Sequence, residues 1–129
     1  AGRDLAGVRK VVLDAVQKAQ GQGCAPGVLG VSIGGDRGSS YIKSKEVLFS
    51  EMGTRNEDPK LAELEERLTS EANEMGIGPM GFGGKTTVLD TKIIGLSRLP
   101  ASYFVSVSYM CWAYRRRKMT VKGEEITYE

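Results

Sequence analysis

Between Asp4 and Gln20, apolar side chains fall at Leu5, Val8, Val12, Ala15 or Val16, and Ala19, with Arg and Lys on the other positions and Gly21 beyond. Recurrence at helical spacing predicts an amphipathic helix with one buried stripe. The pattern then changes. Val28-Leu29-Gly30-Val31-Ser32-Ile33 is a short apolar run between glycine-rich stretches, which predicts a buried strand between two loops. Ser39 or Ser40 is a fit N-cap for a helix running to about Phe49. Asp58-Pro59 supplies a cap and a first-turn proline, and Leu61, Leu64, Leu68, Ala72 and Met75 then repeat every three to four residues among acidic ones, so a second amphipathic helix follows.

Beyond the loop Gly76–Gly84, the β-branched content of Lys85–Ile94 favours a strand. From Ser102 to Met110 the period drops to two: Tyr103, Val105, Val107 and Tyr109 alternate with Phe104, Ser106, Ser108 and Met110, giving a strand whose faces differ. The tail from Met119 to Glu129 carries Lys122-Gly123 between β-formers, which predicts a terminal hairpin. Helices and strands alternate without an internal repeat. The fold class expected is α/β, a single domain over residues 1–129 with helices packed on a mixed sheet.

Composition narrows the functions open to such a domain. At 129 residues the chain is long enough for one core, and 40% hydrophobic with 26% charged residues is the balance of a folded globular domain. No apolar run is long enough to span a bilayer, so no membrane association is expected. The N-terminal residues have neither a secretory signal's apolar stretch nor an initiator Met, as in an excised piece of a longer chain. A net charge of +2, with cations scattered among carboxylates, gives no reason to expect a nucleic-acid partner. Arg115-Arg116-Arg117-Lys118 beside Trp112 and Tyr114 could meet phosphates, but so short a run reads first as a solvated edge.

The absence of histidine excludes Ser-His and Cys-His nucleophile pairs and the commonest general base near neutrality. Two cysteines, Cys24 and Cys111, are too few for a disulfide scaffold, which favours reduced thiols in a cytoplasmic setting. Cys111, at the end of an alternating strand, reads by itself as a small buried hydrophobe, whereas Cys24 in a glycine-rich loop is the better ligating thiolate.

Twelve of the seventeen glycines lie in two stretches, Gly21–Gly38 and Gly76–Gly84. Gly76-Ile77-Gly78-Pro79-Met80-Gly81 matches GxGxxG, but the dinucleotide fingerprint needs a strand before it and a helix after it, the reverse of the order here. Gly84-Lys85-Thr86 ends like a P-loop, yet Pro79 occupies the position of the first glycine. Five glycines in nine residues, followed by Lys-Thr-Thr, suggest a backbone approached closely by a ligand or another chain. Backbone N–H groups at Gly83 and Gly84, with Lys85 and Thr86, would favour an anion.

Three strings in order, GCAPGVLGVSIGG, GIGPMGFGGKTTVLDTKI and RLPASYFVSVSYMCWAYRR, resemble the class I, iron–sulfur-dependent fumarate hydratase family, and most closely the C-terminal part of its α subunit. The resemblance implies a hydro-lyase that reversibly hydrates fumarate to (S)-malate. It implies a [4Fe–4S] cluster held by three cysteines, with two of those ligands at Cys24 and Cys111, the third in the upstream half of the α subunit, and one iron left open as a Lewis acid. It implies a small dicarboxylate substrate, a β subunit that supplies the base, and a chain that by itself binds the cluster poorly or not at all. Related tartrate dehydratases carry the same motifs. One departure stands out: where relatives read His-Arg-His-Pro-Ala-Ser, this chain reads Ser97-Arg98-Leu99-Pro100-Ala101-Ser102, so Leu99 replaces a histidine and Arg98 is the candidate substitute. Two readings from other classes stand beside this one: a non-catalytic module that contacts the missing lobe and the β subunit, and a phosphate or nucleotide binder built on residues Gly83 to Thr86.

Overall fold

The computed structural model describes all residues from Ala1 to Glu129. Helix α1 covers Leu5–Ala19 and turns Val8, Val12 and Val16 inward. Its start is fixed by Asp4, whose carboxylate accepts from the Gly7 N–H at 2.7 Å. Strand β1 follows at Gly27–Gly35 and is buried over nearly its whole length, as a strand covered on both faces must be. Helix α2, Arg37–Glu46, begins earlier than the sequence suggests. Asp36 is its N-cap, and Ser39 sits three residues inside as the reciprocal partner of a capping box. A 3-10 turn, Val47–Phe49, continues it.

Helix α3, Pro59–Glu74, is capped by Asp58 as its sequence requires. Strands β2 (Val88–Arg98) and β3 (Val105–Met110) complete a sheet of order β2-β1-β3. The β1/β2 pair is parallel and the β1/β3 pair antiparallel, so the sheet is mixed, as expected. A parallel pair needs a long crossover, and α2 and α3 both lie in it. The expected terminal hairpin is present as β4 (Met119–Lys122) and β5 (Glu125–Tyr128).

Alternation in β1 sorts its side chains between two layers. Leu29, Val31 and Ile33 join Val8, Val12 and Val16 of α1 and Leu64, Leu68 and Ala72 of α3 in the apolar core. Burying each of these side chains is worth about 1.5–3 kcal/mol, which makes this layer the main source of stability. The opposite layer is polar. Ser106 donates to Ser40 at 2.9 Å, Ser40 to Ser32 at 3.4 Å, and Ser44 and Ser108 share a bond of 2.7 Å, so small hydroxyl residues join α2 to the sheet. Gly30 allows this approach, since a Cβ there would overlap the Ser44 carbonyl oxygen.

The outer edge of β2 is closed by side chains. Glu65, 2% exposed, accepts from the N–H of Ile93 at 2.8 Å, and Asn56 donates to the Ile93 carbonyl at 2.7 Å. Farther along, Asn73 accepts from Thr87 and Val88 N–H and donates to the Val88 carbonyl. Such caps close this edge as far as Ile93, and the exposed Gly95 and Ser97 lie beyond them.

Candidate functional site

The two glycine-rich stretches meet. A Cβ on Gly21, φ +70°, would collide with the backbone of Gly81, and one on Gly78, φ +68°, with that of Gly83. Some of the close approach expected at these glycines is thus packing of loop against loop. Gly83 and Gly84 differ, because a Cβ on either would meet nothing nearer than 3.5 Å. Behind the loops, Asn73 fixes the start of β2, and the buried Thr87 hydroxyl accepts from the Gly78 N–H at 3.1 Å.

This packing brings the two cysteines to one end of the sheet. Cys24 precedes β1, Cys111 follows β3, and the Trp112 N–H donates to the Cys24 carbonyl at 3.2 Å. Both are free thiols, Cys24 exposed and Cys111 half-buried, so Cys111 is not the buried hydrophobe its strand position alone suggests. They line a common cavity of about 50 Å³ together with Gly78, Met80, Thr87 and Tyr109. The polar side-chain groups of this lining are two thiols, one hydroxyl and one phenol; no carboxylate is among them. Burial raises the Tyr109 phenol above its ordinary pKa, which keeps it a neutral donor. The cavity offers no carboxylate base, and its two soft sulfur donors can hold a soft metal.

Cys111 also borders a wider groove of about 660 Å³, lined by Val28, Met52, Leu89, Trp112 and Tyr114, by the cations Arg115, Arg116 and Arg117, and by one carboxylate, Glu51. Arg116 is not simply a solvated cation. Its guanidinium donates to the carbonyls of Leu48, Phe49 and Ser50 at 3.0, 2.6 and 2.8 Å and ties the Arg-rich segment to the end of the α2 layer.

The remaining sequence-predicted residues fall in two places. Gly83, Gly84, Lys85 and Thr86 form the exposed lead into Thr87 and β2, beside the cavity but outside its lining. Arg98 ends β2, ten residues beyond Val88 and so about 33 Å away along an extended strand. Within this chain, Arg98 and Leu99 are therefore not brought to the cysteines. Thr87, Tyr109 and Asn73 carried no motif of their own, and only the contact between segments far apart in sequence reveals them.

A second buried charge cluster lies under β2. Asp90 accepts from Gly53 N–H at 2.9 Å and Arg55 at 2.8 Å, and pairs with Lys92 at 3.1 Å. Burial pushes the Asp90 carboxyl up, but these donors outweigh it and hold its pKa below the ordinary value. The cluster anchors the loop before α3 and makes no contact with the cysteine cavity.

A family model described as Fumarate hydratase (Fumerase) matches residues 1–120. A protein of Geobacillus stearothermophilus, provisionally named a class I fumarate hydratase, is 55% identical over 116 residues, which are 90% of this chain and 23% of that protein. The L(+)-tartrate dehydratase subunit alpha of Escherichia coli strain K12 is 34% identical over 95% of this chain and 40% of its own length. A Methanocaldococcus jannaschii protein, provisionally given the same subunit name, is 36% identical over 92% of this chain and 41% of its own. The chain thus spans between about a quarter and two-fifths of the length of these relatives.

Proposed function

This chain belongs to the fumarate hydratase family, and we propose that it is part of a [4Fe–4S]-dependent hydro-lyase that reversibly hydrates fumarate to (S)-malate. The observation that carries this reading is the meeting of Cys24 and Cys111 on one cavity at one end of the sheet. Two thiols fit two corners of such a cluster, and no third His, Cys, Asp or Glu joins them. A third ligand then comes from the upstream region of an α subunit, and the base from a β subunit; the relatives named as alpha subunits support such partners.

When bound, the cluster supplies a Lewis-acidic iron for the substrate's carboxylate and hydroxyl. This chain's own contribution is positional. The Asn73 and Thr87 contacts hold the start of β2 and Gly78 against the cavity. The Arg115–Arg117 side of the adjoining groove favours a dianion. The Gly83 N–H is already donated to the Ile77 carbonyl at 2.8 Å, so Lys85 with the Gly84 N–H is the second place for a carboxylate. Ligating thiolates must stay reduced, which fits a cytoplasmic enzyme, and no helix here is long and apolar enough to cross a membrane.

The relatives named as tartrate dehydratase subunits favour one other reading, a related hydroxydicarboxylate as substrate. The higher identity to the protein named for fumarate supports fumarate as the first reading. The test is anaerobic reconstitution with iron and sulfide, of this chain alone and with upstream α region and β subunit. Iron content, visible absorption and hydration of fumarate and dehydration of tartrate are recorded. Cluster and fumarase activity only in the assembly are expected, both lost in Cys24→Ser and Cys111→Ser. An assembly indifferent to both substitutions refutes the ligand roles and leaves the chain a non-catalytic interaction module.

A further inference from the structure

The two edges of the sheet are treated differently. On the first half of β2, as far as Ile93, Glu65, Asn56 and Asn73 cap outward backbone groups. On β3 nothing does. Gly34 N–H donates to the Phe104 carbonyl at 2.8 Å, and from that pair the antiparallel register runs Ser32↔Ser106, Gly30↔Ser108 and Val28↔Met110. Hydrogen-bonded and non-bonded pairs alternate along such a ladder, so Ser106, Ser108 and Met110 direct their backbone groups at β1. Val105, Val107 and Tyr109 direct theirs outward, and no backbone or side-chain partner receives them.

The strand also lacks the devices that keep an edge from pairing. Val105–Met110 contains no charge and no proline, and β3 is half-buried where β1 is buried. Its margin is apolar on the α1 side, where Tyr103, Val105 and Val107 of the β3 region and Leu5 and Leu13 of α1 are only partly covered. The relatives named as alpha subunits extend to more than twice this chain's length, so a large part of such a polypeptide must pack somewhere.

We propose that the outer edge of β3 is the seat of an added strand, an extended apolar segment from the upstream α region that carries the third cysteine. This rests on the functional reading above in one respect, the existence of that region. Because Cys111 directly follows β3, strand addition there fixes the incoming polypeptide against the same strand that carries one of the two cysteines.

Amide hydrogen exchange tests the proposal, on this chain alone and on the chain co-purified with the upstream α region. In the free chain the amides of Val105, Val107 and Tyr109 exchange freely while those of Ser106 and Ser108 are protected; in the assembly the first three slow by about a hundredfold or more. Val105→Pro removes one outward donor and no internal hydrogen bond but also alters a side chain packed against the core, so Val105→Ala is its packing control: the two free chains melt alike, while only the proline variant loses about fivefold in affinity for the upstream region. An assembly in which Val105, Val107 and Tyr109 stay unprotected overturns the edge proposal and leaves the hydro-lyase reading intact. Protection in an assembly that still lacks hydratase activity once the β subunit and a reconstituted cluster are added refutes that reading and keeps the edge. Failure of the two polypeptides to associate, or protection that rises with this chain's own concentration and so marks a second copy as the occupant, overturns the proposal.

Discussion

Asn73 is the side chain on which the start of β2 depends, and replacing it measures how firmly the cysteine end is held. Its Oδ1 accepts from Thr87 N–H at 2.7 Å and Val88 N–H at 2.9 Å, and its Nδ2 donates to the Val88 carbonyl at 3.1 Å. Asn73→Ala leaves three backbone groups without partners. At about 1 kcal/mol net for each bond, with water reaching a half-buried site, the loss is about 2–4 kcal/mol. That is a large share of the ~5–15 kcal/mol that holds an ordinary domain together. For a chain of this size it lowers Tm by about 8–16 °C. Asn73→Asp keeps the oxygen that accepts both N–H groups but sets a charged oxygen against the Val88 carbonyl in place of the donor, so part of its loss should be recovered at low pH, where the protonated carboxyl donates there again. Urea unfolding followed by circular dichroism gives both values, provided the slope is unchanged. A loss under about 1 kcal/mol for Asn73→Ala would show that these acceptor bonds do not hold the strand.

Three further outcomes follow from contacts elsewhere. The Asp90 carboxyl has a folded pKa below its unfolded value, so its contribution is complete above the ordinary carboxylate range and is lost as pH falls through the depressed folded value. Urea midpoints should therefore drop on acidification below about pH 4, and in Asp90→Asn that limb should flatten; an unchanged limb would assign acid sensitivity to other groups. Gly30→Ala forces a Cβ against the Ser44 carbonyl and should cost about 2 kcal/mol or more, whereas Gly23→Ala, whose Cβ meets nothing within 4 Å, should stay within about 0.5 kcal/mol of the parent in the same assay. Arg116→Ala removes charge-assisted bonds to three carbonyls and should cost about 1–2 kcal/mol, against a few tenths for Arg115→Ala, whose bond to Trp112 lies within its own turn.

What could be read along the chain was what depends on near neighbours. Asp4, Asp58 and Pro59 mark helix starts by local chemistry, and the alternation from Tyr103 to Met110 separates a core face from a serine face because a strand's side chains alternate whatever it packs on. The misplaced start of α2 is also local. Ser39 suits a cap, but Asp36 outcompetes it and uses Ser39 as the partner that closes the box. The glycines needed more than sequence. Gly21 is required by Gly81, and Gly30 by Ser44, so their reason lies across the fold. Arg98 fails to join the cysteines for a similar reason. Its distance from Thr87 along the chain becomes a real distance only once the segment is one long strand, and the expected strand ended at Ile94, before Gly95 and Ser97. Pairing with β1, down to Gly35↔Arg98, carries the strand through those weak positions.

The cysteines differ in a way that a thiol reaction can separate. Cys24 is exposed and Cys111 half-buried, so a neutral alkylating agent such as iodoacetamide should modify the free chain in two phases, with Cys24 first. Access alone does not govern an anionic reagent. Cys111 opens onto the groove walled by Arg115, Arg116 and Arg117, whereas the cavity that holds Cys24 has no charged lining. The field of those cations concentrates anions at Cys111 and is screened within about 10 Å at 0.1 M salt. An anionic aromatic disulfide should therefore narrow the gap between the two phases at low ionic strength, and added salt should reopen it. Cys24→Ser identifies the fast phase. If the ratio of anionic to neutral reagent rates is the same for both thiols and indifferent to salt, the arginine wall does not act at Cys111, and its role in receiving a dianionic substrate falls with it.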